Sequence, residues 1–204
     1  MARHLFGEQL WAAERFAALL ATAGVQRGLI GPREVPRLWE RHLVNCALLA
    51  RAVPTNADVC DLGSGAGLPG LVLALHRRDL QVTLVEPQAR RVDFLREAII
   101  AVPLDNVTVL RSRAEELHGG HVFSVVTARA VAPLGRLLDW SMPLVRPGGV
   151  LLAIKGATAD AEIEAARAAL AQHRTARVAV LRLGQDLLDP PTTVVRVEAG
   201  SASG

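Results

Sequence analysis

A glycine-rich turn between a short apolar run and a helical pattern constrains this chain more than any other feature. The apolar run ends at Asp61, and four glycines follow it: Gly63, Gly65, Gly67 and Gly70. A strand, a glycine-rich turn and a helix in this order are typical of a site for a nucleotide-like cofactor. Without a Cβ atom, the backbone can turn tightly and a ligand can approach it closely. Residues 59–70 therefore predict a cofactor site at the end of the first strand.

Asp61 indicates which cofactor the turn holds. A dinucleotide would place its pyrophosphate at the N-terminus of the following helix, which favours anions, and a nearby carboxylate would repel it. S-adenosylmethionine carries a positive sulfonium, an α-ammonium group and no phosphate, so an acidic strand end suits it better. We therefore expect S-adenosylmethionine rather than NAD as the ligand.

The composition is that of one globular domain. The chain has 204 residues, half of them hydrophobic, which is enough to bury a sizeable core. No run approaches the roughly 20 apolar residues that a membrane span requires, and the N-terminus lacks the apolar core of a signal peptide. Two cysteines in predicted core positions suggest a reducing compartment, and the His and Cys spacings suggest no metal site. We expect a cytoplasmic monomer.

The formal net charge is +3. This charge allows an anionic partner such as RNA but does not require one. Function classes that need a strongly basic surface are therefore neither favoured nor excluded by charge alone.

Hydrophobic periodicity divides the chain into a helical extension and an α/β core. Residues 1–54 carry two helical patterns, from 8 to 23 and from 34 to 53, in which apolar residues recur every three or four positions. We expect His42, on the apolar face of the second pattern, to be a packed, hydrogen-bonded core residue and not a ligand. In the core, residues 55–198, strand and helix patterns alternate. Residues 199–204 are predicted to form a disordered tail.

The core predicts five parallel strands followed by an antiparallel hairpin. The parallel strands cover residues 57–61, 81–86, 107–110, 122–127 and 150–154. The helices between them cover residues 69–77, 88–101 and 133–145. Strands 178–183 and 193–197 have no helical pattern between them, so they should pair antiparallel. This hairpin distinguishes the class I methyltransferase form of the Rossmann-like, doubly wound sheet from the all-parallel dinucleotide fold.

Candidate site residues follow the strands, because ligands of open α/β sheets bind outside the carboxyl ends. Glu86 can accept hydrogen bonds from both ribose hydroxyls. The Ala114 backbone and the Glu115 carboxylate could read an adenine edge, although an ordinary acidic helix start is the alternative. Arg129 can bind a carboxylate of the cofactor or of a side chain. For Lys155, a phosphate contact and a solvated strand end stay open.

The absence of two motifs narrows the set of acceptor groups to which a methyl group could be transferred. No Asn/Asp-Pro-Pro-aromatic sequence follows the fourth strand, as exocyclic-amine methylation usually needs. Neither cysteine lies in a predicted loop, as a pyrimidine C5 methyltransferase would require. Methyl transfer to a ring nitrogen that is already nucleophilic needs no general base, because positioning alone can accelerate it by several orders of magnitude. A site without an obvious base fits such an acceptor.

Taken in order, these motifs resemble the bacterial glucose-inhibited-division protein B family. The matching segments are residues 39–43, 61–70, 86, 90–95, 112–115, 129–130 and 155–156. The resemblance implies a methyltransferase that uses S-adenosyl-L-methionine to methylate N7 of a guanine in 16S ribosomal RNA of the small subunit. The chain departs from the family at Asn45 and Cys46, where an acid and a serine are usual.

The resemblance implies cofactor contacts at Gly63, Leu68, Ala114, Glu115 and Arg129. The glycine turn and the end of the second strand add Gly65 and Glu86 to the expected cofactor contacts. We further assign Arg129 to orienting the donor and the acceptor, which makes it the candidate catalytic residue. Contacts with the substrate RNA are expected at Lys155, Arg90 and Arg91.

Three other functions are compatible with parts of this pattern. A small-molecule methyltransferase shares every cofactor argument but would be active without ribosomal particles. An NAD-dependent oxidoreductase would bind NAD instead of S-adenosylhomocysteine, and Asp61 argues against it. A non-catalytic RNA-binding protein would have little use for a complete set of cofactor residues.

Overall fold

In the computed structural model, which describes residues 2–201, a seven-stranded sheet lies between two layers of helices. The strands are β1 Asp58–Leu62, β2 Gln81–Val85, β3 Val107–Leu110, β4 Phe123–Arg129, β5 Val145–Lys155, β6 Thr175–Leu183 and β7 Thr192–Ala199. They are arranged in the order β3-β2-β1-β4-β5-β7-β6. The first five are parallel, and β7 is antiparallel to β5 and β6. The predicted parallel strands and closing hairpin are therefore confirmed.

The strand order places a crevice at the carboxyl end of β1. From β1 the chain moves outward through β2 and β3, then returns to β4 on the other side of β1. Ligands of open α/β sheets bind where the strand order reverses in this way. The residues that follow β1, β2 and β4 therefore meet at one place.

Helices cover both faces of the sheet. They are α1 Ala2–Phe6, α2 Leu10–Leu19, α3 Asn45–Leu49, α4 Gly70–His76, α5 Ala89–Ala101, α6 Leu134–Ser141, α7 Ala159–Ala165 and α8 Arg167–Gln172. Buried residues of α1 to α5 share one hydrophobic cluster, and those of α6 to α8 share another. None of the helices within residues 2–201 has the length and apolarity to cross a membrane.

The central strands are buried on both faces, which explains their continuous apolar runs. Val59 and Cys60 are both fully buried, yet they belong to different hydrophobic clusters. Successive side chains of a strand point to opposite faces of the sheet, so adjacent residues contact different helix layers. The same alternation separates Leu151 from Leu152 in β5.

The N-terminal helices are less regular than their periodicity predicts. Instead of one helix over residues 34–53, the chain forms a 3-10 helix at Pro32–Arg37, a π-helical turn at Leu38–Val44 and then α3. Pro36 lies inside the 3-10 segment, where it lacks the N–H that a regular α-helix needs. The first predicted helix is also shorter, since α2 ends at Leu19 and continues as a π-helical turn.

The other differences lie at element ends. Strand β5 begins at Val145, five residues before the predicted start, because Val145 already pairs with Phe123 across a register shift. Helix α6 consequently ends at Ser141 and not at residue 145. Ala199 still belongs to β7, so the prediction of a tail is wrong there, and residues 202–204 of that tail lie outside the described residues.

We predict that Gly70→Ala destabilises the protein, because α4 begins too close to the sheet for a side chain. A Cβ atom at Gly70 would overlap Leu84 Cδ2 and lie 2.6 Å from Asp61 Oδ2. Overpacking of this kind costs about 1–3 kcal/mol. Urea unfolding of the purified variant measures the loss.

Gly135→Ala in α6 is the matched control, because a Cβ atom there would meet nothing within 4 Å. Alanine is favoured over glycine inside a helix by roughly 0.5–1 kcal/mol, so this variant should be at least as stable as the original chain. Equal stability of the two variants would contradict the prediction.

Candidate active site

Two neighbouring cavities open at the carboxyl end of the sheet. The first cavity, of about 660 Å³, lies at the ends of β1, β2 and β4. The second cavity, of about 1040 Å³, lies beside the end of β5. Their walls share residues 129–131. Ala130 adopts a left-handed φ of 53°, which is uncommon outside glycine and is often found at functional sites.

The glycine turn forms the floor of the first cavity. Gly63, Gly65 and Gly67 have φ values of 69°, 55° and 82°, which side chains with a Cβ rarely adopt. The N–H groups of Gly63 and Ser64 both donate to the Val85 carbonyl, at 2.9 and 3.1 Å. These bonds hold the turn against β2, so its backbone lies beside the residues that follow that strand.

Asp61 does not face this cavity, contrary to the sequence analysis. Its side chain is fully buried, and its Oδ2 accepts the Gly70 N–H at 3.0 Å while its Oδ1 accepts the Thr127 hydroxyl at 3.2 Å. Burial raises the pKa of Asp61 to about 6, although these hydrogen bonds oppose the shift. The carboxylate therefore joins β1 to β4 and to the start of α4, and the argument that it attracts a cationic ligand directly is wrong.

Glu86 is the acidic group that lines the first cavity at the turn. Its side chain is 1% exposed, Oε2 accepts the Gly65 N–H at 3.0 Å, and Oε1 accepts the Gln88 N–H at 2.9 Å. The Arg91 guanidinium lies 3.6 Å from Oε2. A carboxylate has about four acceptor positions, so Glu86 keeps acceptor capacity for the hydroxyls of a ligand.

Arg129 connects the end of β4 to the N-terminal helices. Its Nη2 donates to His42 Nδ1 at 2.7 Å and to the Arg41 carbonyl at 3.2 Å, and its Nη1 donates to Cys46 Sγ at 3.3 Å. A guanidinium can only donate, so His42 Nδ1 must be the acceptor and His42 Nε2 carries the proton. That N–H then donates to the Glu34 carboxylate at 3.0 Å.

The hydrogen-bonded row Glu34–His42–Arg129 requires a neutral imidazole. Burial lowers the pKa of His42, and the charge of Arg129 lowers it further. His42 also lines the first cavity although it is only 8% exposed. The expectation of a packed, hydrogen-bonded core histidine is therefore confirmed, although the sequence gave no sign that one partner would be Arg129, 87 positions away.

The structure brings the predicted cofactor residues to one cavity. Its walls include Gly63, Gly65, Leu68, Glu86, Ala114, Glu115 and Arg129. The predicted RNA contacts are placed differently. Arg91 lines this first cavity beside Glu86, Arg90 lines neither cavity, and Lys155 lines the second.

Lys155 is engaged within the protein. Its ammonium donates to the Ala132 carbonyl at 2.8 Å and to Glu162 at 2.7 Å, and its side chain is 10% exposed. Two of its three N–H donors are therefore used within the protein, where they join β5 to α7 and to the loop after β4. The assignment of Lys155 as an RNA contact stays a prediction.

Sequence reasoning missed three apolar residues in the walls of the first cavity. Leu29 and Ile30 come from the loop before the 3-10 helix Pro32–Arg37, and Trp140 comes from α6. The Arg136 guanidinium lies over the Trp140 ring at 4.7 Å. No motif marked these residues, because they reach the cavity only through the packing of the elements that carry them.

Within residues 2–201, no group of three or more His, Cys, Asp and Glu side chains is arranged to hold a metal ion.

Comparison with known proteins points to one family. Residues 9–188 match the GidB family, described as rRNA small subunit methyltransferase G. The ribosomal RNA small subunit methyltransferase G of Thermobifida fusca is 59% identical over 98% of this chain and 85% of its own length. The protein of the same name from a Nocardioides species is 61% identical over 97% of this chain and 79% of its own.

Solved structures share the fold at low sequence identity. A SAM-dependent O-methyltransferase from Thermotoga maritima has a TM-score of 0.62 and 13% identity, over 84% of this chain and 71% of its own. A precorrin-6y C5,15-methyltransferase from Geobacter metallireducens has a TM-score of 0.56 and 16% identity, over 84% and 91%. The predicted class I methyltransferase fold is therefore confirmed.

We predict that Asp61→Asn changes the pH dependence of stability. The folded-state pKa of about 6 exceeds the ordinary value of 3.8, so the folded protein binds this proton more tightly than the unfolded chain does. Below about pH 4 the carboxyl group is protonated in both states and its ionisation does not affect stability. As the pH rises to 6, its ionisation lowers the free energy of unfolding by roughly 3 kcal/mol. Asparagine can still accept from Gly70 and donate to Thr127.

Urea unfolding of both proteins between pH 4 and pH 7 measures the effect. The stability of Asp61→Asn relative to the original chain should increase as the pH rises through this window. Asp160→Asn, at an exposed position of α7, controls for the loss of one negative charge. A difference that stays constant across the window would contradict the prediction.

Proposed function

The chain belongs to the GidB family, rRNA small subunit methyltransferase G, and from this membership we propose that it methylates N7 of a guanine in 16S ribosomal RNA. The methyl donor is S-adenosylmethionine. The observation that supports the proposal most directly is the buried Glu86 carboxylate at the glycine turn, since it keeps acceptor capacity for ribose hydroxyls. The proposed enzyme is a cytoplasmic monomer that acts on the small ribosomal subunit.

The first cavity fits the cofactor in size and chemistry. Its volume of about 660 Å³ lies within the roughly 300–1000 Å³ of small-molecule sites. Arg91 Nε is buried and forms no hydrogen bond to another residue within 2–201, so a ligand acceptor in the cavity would satisfy it. The backbone of Gly63 and Gly65 allows the cofactor to approach closely, while Leu68 and Ala114 offer it apolar contacts.

Individual residues would hold different parts of the cofactor. Glu86 would bind the ribose, Ala114 and Glu115 would contact the adenine, and Arg129 would orient the methionine end. When bound, S-adenosylmethionine supplies an electrophilic methyl group. Guanine N7 carries a free lone pair, so the protein needs to position the base and does not need to remove a proton.

Arg129 is the candidate residue for positioning the donor and the acceptor together. It lies in the wall shared by the two cavities, and His42, Arg41 and Cys46 hold its guanidinium. A guanidinium fixed by several partners loses little conformational freedom when it meets a ligand. The second cavity, on the other side of this wall, is the proposed site of the acceptor base.

The decisive experiment supplies labelled S-adenosylmethionine and small ribosomal subunits from a strain that lacks the gene. We expect label at N7 of one guanine of 16S ribosomal RNA, located by mapping the modified base. Absence of label from the RNA would refute the proposal. Methyl transfer to a small molecule without ribosomal particles would instead favour the small-molecule methyltransferase.

We predict that Glu86→Gln weakens binding of S-adenosylhomocysteine by roughly tenfold or more. The two carboxylate oxygens of Glu86 accept from the N–H groups of Gly65 and Gln88. In the glutamine variant, the side-chain NH₂ must replace one of these oxygens, so one N–H donor loses its acceptor. The variant also loses acceptor capacity for the ribose. Isothermal calorimetry measures the dissociation constant.

Glu164→Gln makes the same chemical change at an exposed position of α7. It should bind the ligand as the original chain does. Unchanged binding by Glu86→Gln would remove this residue from the cofactor site.

We predict that Arg129→Ala reduces turnover more than it reduces donor affinity, with a turnover loss on the order of 100-fold. The physical reason is the loss of a fixed group between donor and acceptor. Methylation kinetics on small subunits and calorimetry with S-adenosylhomocysteine separate the two effects. Arg167→Ala, exposed on α8, is the control.

Unchanged donor binding together with full ribosomal methylation by Arg129→Ala would show that the assigned role is wrong.

A further inference from the structure

Asn45 carries a buried polar atom that the fold does not use. Its side chain lines the second cavity, at the start of α3. Its carbonyl oxygen Oδ1 is buried and accepts no hydrogen bond from any residue within 2–201. A buried acceptor without a partner is destabilising, so the folded structure alone gives no reason for an amide at this position.

Asn106 shows what a structural amide looks like in the same protein. Its Nδ2 donates to the Leu80 carbonyl at 3.0 Å and to the Ala74 carbonyl at 3.3 Å, and its Oδ1 accepts from Arg78 at 3.4 Å. These bonds connect α4 to the strands that follow it. Asn45 has no comparable bond at its oxygen, which indicates a different role.

The position of Asn45 relates it to the proposed reaction. The next residue in the chain, Cys46, accepts a hydrogen bond from Arg129, and Arg129 lies in the wall shared by both cavities. The amide is therefore held on the acceptor side of this wall by the same helix that anchors Arg129. Among the described residues that line the second cavity, only Asn45 and Thr193 have uncharged side chains with hydrogen-bonding groups.

The chemistry of guanine complements this amide. When N7 is presented to a methyl donor, the opposite part of the base still offers N1–H and N2–H donors beside the O6 acceptor. A carboxamide can accept from one of these donors through its oxygen and can donate through its NH₂. A donor from the base would give Asn45 Oδ1 the partner that it lacks in the folded protein.

We propose that Asn45 recognises the target base, with its side-chain amide hydrogen-bonding to the guanine that enters the second cavity. This inference rests on the proposed function, because it requires a guanine acceptor. It adds a specificity-determining residue on the acceptor side that is separate from the cofactor contacts.

The test compares variants with opposite expectations for stability and activity. Asn45→Leu keeps the approximate size of the side chain but removes its hydrogen bonds, whereas Asn45→Asp keeps acceptor oxygens for N1–H and N2–H. Asn106→Leu removes an amide that the fold does use. Gln172→Leu makes the same kind of change at an exposed position of α8.

Three measurements distinguish the roles: the melting temperature, the affinity for S-adenosylhomocysteine, and kcat/KM on small subunits from a strain lacking the gene. Asn45→Leu should melt at or above the temperature of the original chain, bind S-adenosylhomocysteine within twofold, and lose roughly tenfold or more in kcat/KM. Asn45→Asp should keep most of the activity. Asn106→Leu should melt at a lower temperature, and Gln172→Leu should match the original chain.

Two results would overturn the inference. The first is unchanged kcat/KM for Asn45→Leu, and the second is a loss of melting temperature that accompanies its loss of activity. If the original chain itself failed to label any guanine, the proposed function would be refuted, and the role of Asn45 with it. Equal labelling by the original chain and by Asn45→Leu would refute the role of Asn45 alone.

Discussion

The buried carboxylate of Asp61 is the interaction on which the site depends. One oxygen accepts from the backbone of Gly70 at the start of α4, and the other accepts from Thr127 in β4. These bonds connect β1 to β4, the two strands between which the crevice opens, and they also connect β1 to the start of α4. The glycine turn spans the distance between Asp61 and Gly70, so its shape is fixed at both ends. Charge at Asp61 raises the energy of the folded state, and the carboxylate is tolerated because hydrogen bonds satisfy both oxygens.

The alternation of strands and helices in the core could be predicted from sequence, because strands that are buried on both faces appear as continuous apolar runs. Strand β3 has the predicted bounds, and the glycines mark the turn because positive φ values require them. The role of Asp61 could not be predicted in the same way. A carboxylate at a strand end can face a ligand or accept from a backbone N–H, and only the distance to Gly70 decides between these. The contact between Lys155 and Glu162 could not be predicted for a similar reason, because Glu162 lies on a helix whose packing the sequence does not specify.

The N-terminal segment was the hardest part to predict, and it forms one wall of each cavity. Its helical periodicity was visible, but Pro36 and the π-helical turn at Leu38–Val44 change which residues share a face. The turn brings Glu34 and His42 together eight positions apart, which regular helical spacing does not predict. His42 also accepts a hydrogen bond from Arg129, which is 87 positions away in the sequence. The position of Arg129 in the site therefore depends on contacts between segments that have no common sequence motif.

Unsatisfied polar atoms give a final argument about where the protein acts. Three buried side-chain atoms within residues 2–201 lack a hydrogen-bond partner: Asn45 Oδ1, Arg91 Nε and Thr192 Oγ1. Arg91 lines the first cavity and Asn45 lines the second. Thr192 Oγ1 lies in β7 and lines neither cavity, whereas other buried groups such as Asp61, Asn106 and Thr127 form hydrogen bonds. Buried polar atoms are expected to lack protein partners where a ligand completes the structure, so Arg91 Nε and Asn45 Oδ1 support the proposal that the two cavities form one site with a donor side and an acceptor side.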